Sequence, residues 1–145
     1  MAFRDKFVRL SSTMALFRGL SPEEVEGIIT RGGTEAVQKG TVIFKKGTVG
    51  KKMYVILNGR VEIVDEGTVF ATLTTGDTFG EMALLSSEPR SATAIAAEST
   101  SLFSLNAHTF EELLTKRVAV RLLLNISRTL CERLRDADEV MARRL

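Results

Sequence analysis

The chain has no tryptophan, one tyrosine, two prolines, one cysteine and one histidine in 145 residues. A single cysteine, Cys131, excludes an internal disulfide and fits a reducing, cytoplasmic setting. A single histidine, His108, excludes the histidine cluster that a metal-dependent enzyme would need, so no metal site is expected. His108 reads as a surface or capping residue near a helix start. Cys131 sits in a long helical stretch with no histidine near it in sequence, which is not the setting of a nucleophile. No catalytic group is therefore in view, and the chain is not expected to be an enzyme. No window approaches the roughly 18 uncharged apolar residues of a membrane span. The start is charged at Arg4, Asp5, Lys6 and Arg9 and lacks the apolar core of a secretory leader. Neither sign of charge dominates: 20 basic and 18 acidic residues are interleaved, which gives no licence for nucleic-acid binding.

What is present fits one globular domain, since 44% hydrophobic and 26% charged residues can build and solvate a core at this length. Residues 1–33 read as an N-terminal helical segment. Met1 to about Phe17 is expected to hold a short helix followed by an apolar connection. A second start is clearer: Ser21 is an N-cap, Pro22 stands at the first helical position, and Glu24 completes a capping box. Val25, Ile28 and Ile29 mark its buried face, and Gly32-Gly33 ends it.

From residue 34 to 105 the period falls to two. Val42 and Phe44, Met53 to Leu57, Arg60 to Val64, Thr68 to Thr74, Thr93 to Ala97 and Thr100 to Leu105 read as strands. Asn58-Gly59 and Glu66-Gly67 are both expected to close hairpins. Short strands punctuated by glycine at this regularity imply a barrel or jelly roll. Residues 106–145 are helical. Asn106 caps a short helix through Phe110, Leu113 and Leu114. A long helix then runs from about Val118 to about Ala142 without glycine or proline. Leu122 and Ile126 dock its first half on the barrel. Leu123, Leu130 and Ala137, with Ser127, Leu134 and Met141, form a heptad seam along its second half, so a homodimer is expected.

The most informative stretch lies between, from Gly76 to Ala94. Gly76-Asp77 is a turn pair, Phe79 an anchor into a core, and Gly80 a place where backbone runs close to something. Glu81 to Leu85 is a helix too short to stand alone. Its free N–H groups favour an anion. Arg90, held behind Pro89, supplies the matching guanidinium. Glu81 would repel a phosphate and suits sugar hydroxyls instead.

Phe79-Gly80-Glu81-Met82-Ala83-Leu84-Leu85 followed by Pro89-Arg90-Ser91-Ala92-Thr93 resembles the phosphate-binding cassette (residues 79–93) of the cyclic nucleotide-binding domains. That family includes the regulatory subunits of cyclic AMP-dependent protein kinase, the bacterial catabolite activator and the cyclic nucleotide-gated channels. The leader Leu16 to Ser21 is also similar to the family's. The resemblance implies a mainly β fold with flanking helices: a double-stranded β-helix, or jelly-roll, barrel with an N-terminal helix, a short phosphate-binding helix and a long C-terminal helix. It also implies roles. Glu81 would accept from the ribose 2′-hydroxyl. Gly80, Met82 and Ala83 would lie along the sugar and phosphate. Arg90 and Ser91 would bind the cyclic phosphate. Ile63, Ala71 and Leu73 would face the base, with Arg133 of the final helix as lid.

Two departures matter. The family's adenine-reading hydroxyls in the final helix fall on Ala137 and Asp138, so only a modest preference for cyclic AMP over cyclic GMP is expected. Lys51 and Lys52 follow Gly50 where the family often has an acidic residue. Without ligand, Arg90 is expected to have at most Glu81 or water as partner. No helix-turn-helix segment follows the long helix, so no direct DNA contact is expected. The implied function is a cyclic nucleotide sensor that signals through its last helix. The alternative is a nucleotide-independent dimerisation module of the same fold.

Overall fold

The computed structural model describes residues 9, 13–113 and 117–144, and the side chains of all of these except 113 and 140–144. The helix expected within Met1 to Phe17, the side chain of Met141 and all of Leu114 therefore lie largely or wholly outside the described residues. A 3-10 turn at Ala15–Phe17 leads into helix α1, Pro22–Arg31. Eight strands and a short helix follow: β1 Gly33–Val37, β2 Val42–Phe44, β3 Lys52–Asn58, β4 Arg60–Asp65, β5 Thr68–Thr74, β6 Thr78–Phe79, α2 Met82–Leu85, β7 Thr93–Ala96 and β8 Thr100–Asn106. Helices α3, Ala107–Leu113, and α4, Arg117–Arg144, end the chain.

The strands form two antiparallel four-stranded sheets, ordered β1-β8-β3-β6 and β2-β7-β4-β5. The two central strands of the first sheet, β8 and β3, are buried on both faces. Tyr54, Ile56, Phe79 and Leu102 pack across to Val61 and Ala94 of the second sheet. Met53, Val55, Phe103 and Leu105 face the other way, onto Leu16, Phe17, Val25, Ile28, Phe110, Leu122 and Ile126. That double burial is why Met53–Leu57 and Leu102–Leu105 are apolar at almost every position instead of alternating. The architecture is mainly β with helices at both ends, as the fold class implied.

The caps behave as the residue types dictate. Glu24 N–H donates to Ser21 Oγ at 3.1 Å, and Ser21 N–H donates to Glu24 Oε1 at 3.0 Å. Asn106 Oδ1 accepts from Thr109 N–H at 2.7 Å. Gly32 ends α1 with an extended backbone, and the position takes glycine because a Cβ there would lie 2.2 Å from the Phe103 ring. Glu66 and Gly67, at φ +50° and +79°, form the tight turn between paired β4 and β5.

The other expected hairpin is corrected. Asn58-Gly59 joins strands of different sheets, since both edges of β3 are occupied by β8 and β6. Gly59, at φ +121°, turns the corner where Thr100 approaches so closely that a Cβ would sit 2.4 Å from its Oγ1. The buried Thr100 hydroxyl lies 3.2 Å from both Arg60 N and Arg60 O and 2.8 Å from Glu98 O, which ties the corner down.

Helix α4 divides into two halves. Ala119, Leu122 and Ile126 are buried in the core, and Asn125 donates to Leu16 O at 2.7 Å and Arg18 O at 3.0 Å. From Cys131 to Glu139 every residue is exposed. At the start of the helix, Arg117 Nη1 lies 2.9 and 2.8 Å from the two carboxylate oxygens of Glu24. The Ser21 N–H first, with Arg117 helping against a partial desolvation, holds the Glu24 carboxyl below its ordinary range. A lowered folded pKa contributes stability above the unfolded value, and that contribution disappears as pH falls through the folded one. Glu24→Gln is therefore expected to lower the thermal midpoint at pH 7 and to match wild type at acid pH, once the folded carboxyl is protonated. An equal gap at both pH values would refute the linkage.

Candidate functional site

The site grows from a turn. Thr74, Gly76 and Asp77 form it: Asp77 N–H reaches Thr74 O at 2.9 Å, Thr74 N–H reaches Asp77 Oδ2 at 2.9 Å, and Gly76 takes φ +94°. This delivers Phe79 into the core, where it stacks on Tyr54 with ring centroids 5.2 Å apart. Gly80 at φ +76° then swings the chain into α2. A Cβ on Gly80 would lie 2.8 Å from Arg90 Nη1, so the glycine is required by both its backbone and its neighbour.

Arg90 is only 9% exposed. Its backbone is clasped by the loop opposite, with Arg90 N–H to Thr48 O and Gly47 N–H to Arg90 O, both at 2.8 Å. Its guanidinium donates to Gly80 O at 3.1 Å and Lys52 O at 2.7 Å and lies over the Phe44 ring, 4.0 Å from the centroid. Gly50 makes room on the other side, where a Cβ would come within 2.4 Å of Nη2. The expectation that only Glu81 or water would partner this group is thus corrected. Two backbone carbonyls and an aromatic face hold it, because a buried cation must satisfy its donors locally. These partners carry no full charge. Arg90 makes no ion pair among the described residues, and its Nε is the one buried side-chain polar atom among them without a hydrogen-bond partner. Burial pulls the guanidinium below its ordinary pKa range, opposed by Tyr54 and Glu81, and it stays protonated at neutral pH.

Glu81 is 5% exposed, and its carboxylate accepts from Arg133 Nη1. Arg133 Nη2 donates to Thr78 O at 2.7 Å. Arg133 thus bridges α4 to the cassette, since a buried carboxylate draws the nearest cation. The Ala83 N–H is likewise engaged inside the turn, donating to Gly80 O at 3.1 Å.

Gly80, Glu81, Met82, Ala83, Arg90 and Ser91 line one cavity of about 690 Å³ together with Ile63, Ala71, Leu73 and Arg133. All the candidate residues are thus brought together. Phe44, Phe70 and Asp136 join them and were not expected. Ala137 and Asp138, the positions assigned to base reading, are not part of the lining; Asp136 is the α4 carboxylate that reaches it. Only the phase of the docked helix settles that choice. Phe44 and Gly50 left no local signal either, because each matters through its contact with Arg90, far along the chain. The cavity is lined by a buried guanidinium, a buried carboxylate and the apolar side chains Ile63, Ala71 and Leu73. Its volume suits a ligand of mononucleotide size.

A family model, the cyclic nucleotide-binding domain, matches residues 34–117. The chain is 34% identical over 128 residues to the cyclic AMP receptor protein of Thermus thermophilus, covering 85% of this chain and 58% of that one. It is 34% identical over 113 residues to the human potassium/sodium hyperpolarization-activated cyclic nucleotide-gated channel 2, covering 78% of this chain and 13% of the channel. The chain thus spans about an eighth of the channel's length and little more than half of the receptor's. The crystal structure of the Thermus thermophilus catabolite activator protein superposes with a TM-score of 0.78 at 33% identity, over 88% of this chain and 62% of that one. Fold, cassette and sequence relatives agree, and the chain belongs to the cyclic nucleotide-binding domain family.

Proposed function

We propose that this chain is a sensor of cyclic nucleotides, with cyclic AMP as ligand, and that it signals through α4. The observation that carries the proposal is Arg90: a buried, positioned guanidinium with an unpartnered Nε and no carboxylate, on the wall of a nucleotide-sized cavity. A cyclic phosphate would supply the missing negative charge. Ser91, the next residue, would add a hydroxyl. Glu81 would accept from the ribose 2′-hydroxyl, and Ile63, Ala71 and Leu73 would pack on the base. The name of the cyclic AMP receptor protein supports the choice of ligand.

Glu81 also gives the signal a route. Its carboxylate is shared between the cassette and Arg133 of α4, so a sugar hydroxyl arriving there changes what holds the helix. The ligand shifts that equilibrium only by its differential affinity for the two helix positions. A second reading, dimerisation through α4, is favoured by the exposed apolar side chains Val120, Leu123, Leu124 and Leu134. The two are compatible.

Titration by calorimetry tests the binding claim, with cyclic AMP expected to bind and to exceed cyclic GMP by a modest margin. Heat from neither nucleotide would sink the proposal. Hydrogen exchange tests the signal: cyclic AMP is expected to slow exchange in residues 80–85 and again in the second half of α4. Protection confined to the cassette would mean that α4 receives nothing.

A further inference from the structure

Arg90 and Phe44 line two cavities, not one. The second, of about 580 Å³, lies against the loop between β2 and β3 and the start of α3. Four basic residues, Lys51, Lys52, Arg90 and His108, line it together with Thr48 and Tyr54. Among the described residues no Asp or Glu lines it, whereas Glu81, Glu88 and Asp136 line the first cavity. Two exposed lysines by themselves are a solvated surface. Here they share a cavity with a guanidinium that is only 9% exposed. The edge of that guanidinium carrying the unpartnered Nε lies against Gly50, where a Cβ would come within 2.5 Å of Nε, and Gly50 lines the second cavity and not the first. The wall is built in advance. Gly47 N–H and Thr48 O clasp the Arg90 backbone, both at 2.8 Å, and Lys51 O accepts from Ala107 N–H at 2.7 Å, which joins the loop to α3 next to His108. His108 Nε2 lies 3.0 Å from Glu112, a carboxylate outside the lining.

We infer that the second cavity binds a small multivalent oxyanion, a phosphate or a polycarboxylate, and that this anion is coupled through Arg90 to the occupant of the first cavity. A multivalent anion fits because a single charge would leave basic residues without a counter-charge. Flexible ammonium groups act as point charges and accept either kind of oxyanion. The site stands on its own geometry, while the coupling rests on the proposed function. Two anions that share one guanidinium repel each other and divide its charge, so each weakens the other. Linkage makes the two effects equal. The sensor then reads cyclic AMP against the level of a second, metabolite-sized anion.

The probes are inorganic pyrophosphate and citrate, added at constant ionic strength so that screening does not change. At least one is expected to shift, to saturation, the amide resonances of residues 48–52 and 107–108 in the nucleotide-free protein. At saturating probe, cyclic AMP should bind about fivefold or more weakly by calorimetry, and the loss should level off. A probe that merely competed at the cassette would give a loss growing in proportion to its concentration, and that result would overturn the proposal. Lys51 and His108 are exposed and line the second cavity but not the first. Lys51→Gln combined with His108→Gln should therefore fold, bind cyclic AMP within about threefold of wild type without probe, and lose the effect of the probe. Lys51→Arg should keep it. An unchanged probe response in the double variant would equally refute the site. Absence of shifts from both probes removes the second site and leaves the sensor function, tested by cyclic AMP alone, untouched. Shifts at residues 48–52 in a protein that binds no cyclic nucleotide would keep the site and remove the coupling along with that function.

Discussion

Arg90→Leu is expected to bind cyclic AMP about 30- to several-thousand-fold more weakly than wild type. The guanidinium is already fixed before any ligand arrives. Gly80 O and Lys52 O take two of its donors, Phe44 covers one face, and Thr48 and Gly47 pin its backbone. Little ordering remains to be done on binding, so most of the charge-assisted hydrogen bonding goes into affinity. Leucine leaves the same cavity with a buried anion and no cation but Arg133, which Glu81 already engages. Losing one partner of such a pair typically costs about 2–5 kcal/mol. Arg90→Lys should recover only part, because an ammonium is a point charge that cannot span two carbonyls and a phosphate together. The same contacts mean that Arg90 contributes to the fold. Its loss strands Gly80 O and Lys52 O while relieving the burial of a charge, two opposed effects, so the thermal midpoint without nucleotide should fall by only a few degrees. The diagnostic quantity is the rise in midpoint on adding cyclic AMP, which reports binding to the folded state alone. Wild type should show it and Arg90→Leu should lose nearly all of it. An Arg90→Leu protein that bound cyclic AMP within about threefold of wild type would remove the phosphate role.

Which parts of this site were legible beforehand follows from how far apart the interacting residues lie. Glu81, the glycine before it and Arg90 belong to one short segment, and their chemistry is recognisable without knowing what surrounds them. The same holds for Ser21 with Glu24, for Asn106, and for the Glu66-Gly67 turn, where donor and acceptor or both positive φ angles fall within a few residues. Legibility fails where the cause is distant. Asn58-Gly59 has the composition of a hairpin, yet the strand after it joins the other sheet because β6 and β8 occupy both edges of β3. Gly50 and Phe44 take their importance from a guanidinium some forty residues further on. The tie between Arg133 and Glu81 left no local signal either, because the two residues lie far apart in the chain. Asp136 rather than Asp138 lines the cavity because the helix is set in rotation by Leu122 and Ile126, which no periodicity in its second half reveals.

Those two residues underlie the remaining large effect. Leu122→Ala is expected to destabilise the chain by about 2–5 kcal/mol, the range for truncating a leucine in a core that relaxes only partly. Leu122 is fully buried, in one cluster with Phe17, Val25, Phe103 and Ile126, so removing its branched end leaves a void between α4, α1 and the first sheet. At about 2–4 °C per kcal/mol for a chain near this size, the midpoint should fall by roughly 4–20 °C. Leu134 gives the contrast. It lies three turns further along the same helix and is 64% exposed, so Leu134→Ala should leave the midpoint of the monomer almost unchanged. If the exposed face of α4 is a dimer seam, the same change should lower the dimer fraction in light scattering across a concentration series. The pair of results would divide α4 physically into a first half that belongs to the core and a second half that the core does not hold. Arg133 then becomes the polar tie that connects the loose half to the cassette through Glu81 and Thr78. A helix built this way can move its outer half without unfolding its inner one. Equal midpoint losses for Leu122→Ala and Leu134→Ala would contradict the division and, with it, α4 as the moving part.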